Sequence, residues 1–243
     1  MRSALILASA LVLGACNVAA IAQEGSRDGG PRTQRSFNLG GFDSVSLAGP
    51  HDVIVTVGPQ FSVRAEGDAE TLDRLDLRVE GGDLRIGTKR DGWKTGWSRD
   101  RPKTVIHVSL PALRSAAIAG SGDMRVDRVQ ADRFSASIAG SGDLQVGQIR
   151  AGDTKFSIAG SGGITAAGNA QSADISIAGS GDVHLGGFEV RRAEVSIVGS
   201  GDVQARAMET ADVSIMGSGD VVLTGSARCN VSKHGSGSVR CGG

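Results

Sequence analysis

Apolar and polar residues alternate with a period of two along most of this chain, and glycine interrupts the alternation at a nearly constant interval. Phe134, Ala136 and Ile138 alternate with Ser135 and Ser137, and Leu144 and Val146 resume the pattern after a Gly-rich break. The same columns return as Phe156 and Ile158, Ile175 and Ile177, Val195 and Ile197, and Val213 and Ile215. Leu185, Val203, Val221 and Leu223 extend the apolar column that follows each break, while Ser157, Ser176, Ser196, Ser214 and Ser232 form a polar column. A period of two marks a strand with one buried face, so each unit is predicted to be strand, Gly-rich turn, strand.

The break is the tripeptide Gly-Ser-Gly, which begins at Gly120, Gly140, Gly160, Gly179, Gly199, Gly217 and Gly235 in steps of 20, 20, 19, 20, 18 and 18 residues. Asp123, Asp143, Asp182, Asp202 and Asp220 follow five of the copies, and Gly163 and Ser238 take that place in the other two. A unit this short cannot bury its own apolar side and must stack on the next copy. Stacking at about 4.8 Å per coil would give seven coils a length of roughly 34 Å. The predicted fold is all-β, a single-domain parallel β-solenoid (β-helix) with coils of about 20 residues and Gly-Ser-Gly-Asp corners. Right-handedness is expected from the general bias of parallel crossovers. Glycine supplies the positive φ of a sharp corner and lets stacked backbones approach closely. The Ser hydroxyls are expected to bond along the stack, and the Asp side chains to accept turn amides as Asx turns do.

Upstream of Gly120 the pattern is strand-rich but less regular, with alternations at Val53, Val55 and Val57, at Leu75, Leu77 and Val79, and at Leu84 and Ile86. Ala48-Gly49-Pro50-His51-Asp52 reads as a degenerate corner, so the solenoid is expected to begin near Phe37; Ala69 to Leu75 fits one helical turn. Lys233 stands where earlier copies carry an apolar residue, which makes the last coil a cap against further stacking.

Composition adds compartment more than chemistry. With 37 Gly, 2 Trp and no Tyr, the core must be narrow and aliphatic, and 26 basic residues against 26 acidic ones leave no field to recruit nucleic acid or an anionic membrane. Arg2 precedes an uncharged run to Ala22 that is too short for a stable membrane span and reads as an export signal. Two processing routes fit: removal after Ala22 at Ala20-Ile21-Ala22, toward which Gly14 tips the reading, or lipidation of Cys16 in Leu13-Gly14-Ala15-Cys16. The expected organisation is a signal peptide over 1–22 (1–15 in a lipoprotein), a flexible linker over 23–36 and the solenoid over 37–241. The protein is thus expected outside the cytoplasm, in the periplasm, outer membrane or at the cell surface of a bacterium, with no transmembrane span in the mature chain. In an oxidising compartment Cys229 and Cys241, placed six residues either side of Gly235, are expected to form a disulfide that staples the last coil.

The Asp ladder has two readings. Like charges about 5 Å apart would be relieved by calcium at Asp123, Asp143, Asp182, Asp202 and Asp220. Calcium-binding solenoids, however, use a nine-residue repeat with facing turns, so turn capping comes first. The segment Lys89 to Lys103 holds both tryptophans and six basic residues against two acidic ones. Trp93, Trp97, Lys94, Arg99 and Arg101 are the candidates for contact with a polysaccharide, cell-wall or protein ligand. The competing reading is a long hairpin whose indoles cover the apolar end of the first coil. His51, His107, His184 and His234 are scattered, and none has the nucleophile and carboxylate that a known mechanism requires. No catalytic residue, cofactor or firm metal site is expected, and Gly-Ser-Gly-Asp lacks the lysine and helix of a phosphate loop.

The strand-rich segment Phe37 to Ser46 (FNLGGFDSVS) followed by reiterated Gly-Ser-Gly-Asp corners resembles the bacterial head GIN domain family, whose members are proposed auto-transporter adhesins. The resemblance runs over roughly Phe37 to Val239. It implies an exported β-solenoid with no established activity and no catalytic residues. No membrane barrel follows the repeats in this sequence, so surface display would depend on a lipid at Cys16 or on a partner. Three functions from different classes follow: a binding or scaffold protein of the envelope or surface, an envelope-stress accessory protein without its own ligand, and a β-helix carbohydrate-active enzyme.

Overall fold

The computed structural model describes residues 33–89 and 103–242. The first strands are β1 (Thr33–Phe37), β2 (Ser44–Ala48), β3 (Asp52–Val57) and β4 (Ser62–Gly67). Then come the helical turn α1 (Ala69–Arg74) and strands β5 (Leu75–Glu80), β6 (Asp83–Thr88), β7 (Val105–Leu110) and β8 (Ser115–Gly120). Long strands β9 (Met124–Gly140), β10 (Leu144–Gly160), β11 (Gly163–Gly179), β12 (Asp182–Gly199) and β13 (Val203–Gly217) form the body, and β14 (Val221–Thr224), β15 (Arg228–Gly235) and β16 (Val239–Cys241) end it.

From β9 to β13 each strand pairs in parallel with the next, with like residues in register: Ile138, Ile158, Ile177, Ile197 and Ile215 stack in one column. That is the parallel β-solenoid the repeat specifies. Inward residues stacked at strand spacing pack against the same column in the next coil, so burial in one coil is completed by its neighbours. The first coil is β2 and β3, since Leu47 pairs with Ile118 and Val53 with Met124. The degenerate corner Ala48–Asp52 is therefore a true corner.

The coils of β9, β10 and β12 have three buried runs where the alternation suggested two. In β9 the inward residues are Met124 and Val126, then Val129, then Phe134, Ala136 and Ile138, with exposed pairs Asp127-Arg128 and Asp132-Arg133 between them. These two breaks carry no constant signature: pairing skips one position at each, where Asp127 and Asp132 of β9 stand opposite Gly147 and Gly152 of β10, and resumes beyond it. Phe134 and Phe156 in the third run and Phe188 in the second, where it stands in the Val129 and Ile149 column, are fully buried, the last two edge to face at 5.7 Å.

The N-terminal end is closed differently. β6 stacks on β2 and β7 on β3, making a capping coil, and antiparallel strands then cover its outer edge: β5 on β6, β4 on β7, and β1 on β4. Asp68 caps α1 by accepting the Thr71 amide at 2.9 Å. The segment Lys89 to Lys103 joins β6 to β7, and these strands pair with different partners and not with each other. The hairpin reading of this segment falls on residues 90–102, which lie outside the described residues.

At the other end β15 pairs only with β13, and β16 only with β14. Cys229 and Cys241 form a disulfide over the last coil, in register with buried Ala211 and Leu223 beneath. Lys233 stands on Ile215, and its Nζ donates to the Gly237 carbonyl at 2.6 Å.

Candidate functional site

The recurring chemistry of the chain is concentrated at the Gly-Ser-Gly-Asp corner. Two contacts bind one corner to the next. The Ser amide donates to the first Gly carbonyl of the preceding coil, as from Ser141 to Gly120 and from Ser161 to Gly140, both at 2.9 Å. So the backbone N–H makes the bond that the hydroxyl was expected to supply.

The second contact is a carboxylate ladder. Asp52 Oδ1 accepts the amide of Asp123 at 3.4 Å, Asp123 that of Asp143 at 3.1 Å, and Asp143 that of Gly163 at 2.9 Å. Asp182 accepts the amide of Asp202 at 3.0 Å, Asp202 that of Asp220 at 2.9 Å, and Asp220 both the amide and the hydroxyl of Ser238. Each Asp therefore caps the corner of the following coil, where a local Asx turn was expected. The bonds from Ser238 hold the Asp220 carboxyl below its ordinary pKa of 3.8, helped by nearby Arg240 and Lys233.

Gly163 lacks a carboxylate, so the Asp182 amide turns to the Gly162 carbonyl at 3.3 Å. The gap is a polar notch of 240 Å³ bordered by Asp143, Thr165, Asp182 and His184. Among the described residues, no three His, Cys, Asp or Glu side chains are placed to share an ion. The five aspartates named as calcium candidates stand in one column along the stack, each with Oδ1 engaged by a neighbouring backbone amide.

The ladder begins beside the place where the Trp-containing segment departs. Lys103 Nζ bridges Asp52 Oδ1 at 3.1 Å and Asp123 Oδ2 at 3.3 Å, and the bond to Asp52 raises its pKa above 10.5. His51 lies in the same corner, almost wholly buried, with Nε2 3.1 Å from Thr88 Oγ1. Burial pushes its pKa below 6.5, and the Asp52 carboxylate only partly opposes this. Sequence reasoning missed both roles. The signal for His51 is its position: it replaces the second Gly of the corner, where a side chain fits only because no earlier Gly-Ser-Gly corner lies beneath it. Trp93, Trp97, Lys94, Arg99 and Arg101 lie outside the described residues, as does Cys16.

Two open grooves flank the stack. One, of 1210 Å³, mixes Arg133, Arg150 and Lys155 with Asp132, Asp153 and Asp174. The other, of 670 Å³, crosses the outward face whose floor is built from Ser137, Ala139, Ser157 and Ala159 and whose wall holds Asp76, Arg78 and Arg85. His107, His184 and His234 stand in separate strands. No helix among the described residues is long and apolar enough to cross a membrane.

Residues 41–227 match the family model described as "putative auto-transporter adhesin, head GIN domain". No curated protein sequence matches. The fold is similar to that of a solved protein titled a putative adhesin from Bacteroides fragilis, with TM-score 0.81 and 20% identity over 87% of this chain and 97% of that one. It is also similar to one titled a putative lipid binding protein from Parabacteroides distasonis, with TM-score 0.69 and 24% identity over 88% and 98%. A third, titled a putative adhesin from Parabacteroides merdae, gives TM-score 0.67 and 17% identity over 88% and 97%. At these identities the likeness carries the fold and nothing finer.

Proposed function

This chain belongs to the head GIN domain family, and from that premise we propose that it is an exported, non-enzymatic solenoid of the bacterial envelope or surface that presents a binding face to an extended ligand. One observation carries the reading: small residues stack in two columns along an outward sheet face, Ser46, Ala117, Ser137, Ser157 and Ser176 in one and Ala48, Ala119, Ala139, Ala159 and Ala178 in the other, flanked by open grooves. A repetitive, shallow surface suits a polymer such as polysaccharide, cell wall or a protein strand better than it suits a small substrate, which needs an enclosing pocket. The export signal read over residues 1–22, or 1–15 with a lipid at Cys16, supports the location. Trp93, Trp97, Lys94, Arg99 and Arg101 supply aromatic and cationic contacts for such a ligand.

The test is protease shaving of intact cells, followed by blotting for this chain with a periplasmic protein as lysis control. Digestion of the chain while the control survives is expected for a surface binder. Protection of both until lysis sinks the surface reading. Changing Trp93 and Trp97 together to Ala then separates binding from structure: loss of glycan or cell-wall binding with unchanged thermal unfolding supports contact, whereas equal loss of stability makes them a cap.

A further inference from the structure

We propose that the C-terminal end of the solenoid is a self-association surface, on which two copies of this chain dock about a two-fold axis, the acidic face of each against the basic terminal coil of the other. The inference starts from a break in the outward column. Ala48, Ala119, Ala139, Ala159 and Ala178 occupy it coil after coil, and then Val198 and Met216 replace them, 54% and 60% exposed. These two lie side by side in β12 and β13. With Val231, 44% exposed in the last coil, they are three of the four exposed large hydrophobic residues among those described; Phe61 is the other.

Carboxylates border the Val198-Met216 ridge on both sides. Asp174, Glu194 and Asp212 stack in a column across the serines, and Asp182, Asp202 and Asp220 form the corner column. Lys155 of β10 pairs with Asp174 at 3.4 Å, but no Lys or Arg stands in these two columns in β11 to β13 or the corners after them. Beyond Asp220 the balance inverts: Arg228, Lys233 and Arg240 belong to the terminal strands, and the chain has no further Asp or Glu. In a protein of zero net charge, this places a strongly acidic face and an acid-free basic coil next to one another at one end.

A two-fold interface uses the same patch on both subunits, so complementary halves within one patch meet reciprocally. The ridge supplies apolar area, and the flanking charges fix orientation and suppress other registers. Lys233 in the inward column, held by the Gly237 carbonyl, blocks continued coil-on-coil stacking through the end, which leaves the outer face for docking.

Sedimentation equilibrium of the purified chain tests this at low and at high salt. The expected result is a dimer whose association weakens as salt rises. It should weaken at least tenfold in Val198→Glu/Met216→Glu, in Glu194→Lys/Asp212→Lys and in Arg228→Glu/Arg240→Glu. Combining the two charge-reversing pairs in one chain should restore it. These side chains are exposed, and unchanged thermal unfolding confirms that each variant folds. A monomer at every concentration overturns the proposal, as does association indifferent to the ridge variant or a four-substitution chain that fails to recover.

Discussion

Asp143 Oδ1 accepts the backbone N–H of Gly163 one coil later at 2.9 Å, and Gly163 has no carboxylate with which to pass the contact on. The ladder is therefore two ladders, Asp52 to Asp143 and Asp182 to Asp220, joined by the weaker backbone bond from Asp182 to Gly162 at 3.3 Å. The repeat tolerates the missing rung because parallel pairing of β10, β11 and β12 carries the stack on either side of it. An aspartate here positions the next corner more than it holds the fold together.

That view sets the size of the first prediction. Asp202→Ala removes the acceptor for the Asp220 amide at an exposed corner, so the loss should be about 1 kcal/mol, since water takes over the freed N–H. Asp202→Asn keeps a side-chain oxygen in reach and should cost less. Chemical denaturation of both variants checks the order; a loss several times larger in Asp202→Ala would mean that the corner opens as a unit.

Glycines in the same molecule should divide by what a methyl group would meet. A Cβ on Gly142 would fall 2.0 Å from the Gly122 carbonyl oxygen, a backbone atom that cannot turn aside. Gly142→Ala should therefore cost about 3 kcal/mol or prevent the coil from closing. At Gly186 no atom lies within 4 Å of that position, and its φ is not positive. Gly186→Ala should be neutral or stabilise by up to about 1 kcal/mol, because it restricts the unfolded chain. Thermal unfolding of the pair distinguishes steric from conformational roles.

Much of this architecture could be read from the chain because the repeat writes the same information many times. The stacked Ile138, Ile158, Ile177, Ile197 and Ile215 and the Gly-Ser-Gly spacing fix both coil length and inward parity. What did not show was anything that occurs once. The bends at Asp127-Arg128 and Asp132-Arg133 are filled by different residues from coil to coil, with Gly147 and Gly152 at the matching positions of β10, so no constant residue type marks them. The capping coil of β6 and β7 is distant in sequence from the strands it covers, and its antiparallel neighbours follow no repeat. The role of Asp52 and Lys103 depends on a contact across 51 positions, which local pattern cannot supply. The charge asymmetry of the last coils was present in the sequence but became meaningful only when the columns assembled it on one face.

His51 makes the corner sensitive to pH. Its folded pKa lies below 6.5 because burial disfavours the imidazolium, so between that value and 6.5 the unfolded chain binds more protons than the folded one. Stability must then rise with pH across this window and fall on acidification through it. The melting temperature is expected to drop as pH is lowered from 7 toward 5, and His51→Gln, which cannot titrate, should flatten that slope. Equal slopes in the two proteins would mean that other groups carry the dependence. Asp220 acts in a lower window: its depressed carboxyl pKa favours the folded state above the ordinary 3.8, and that contribution disappears as pH falls through the folded value.

The terminal coil is where opening should start, and the disulfide is what delays it. β15 and β16 each have one paired edge, Val231 is 44% exposed, and no coil lies beyond to complete their burial. Cys229 and Cys241 close a loop with a sequence separation of 12, and a bridge of that size contributes on the order of 3 kcal/mol by restricting the unfolded chain. Because each coil contacts only its neighbours, that contribution should act locally before it acts globally. Cys229→Ser/Cys241→Ser is therefore expected to raise amide exchange sharply in residues 228–241, with protection lost progressively less in β13 and little changed in β9 and β10. Hydrogen exchange resolved by peptide measures this directly. A uniform loss of protection along the whole solenoid would instead show that the coils open together and that the bridge stabilises the fold as a single unit.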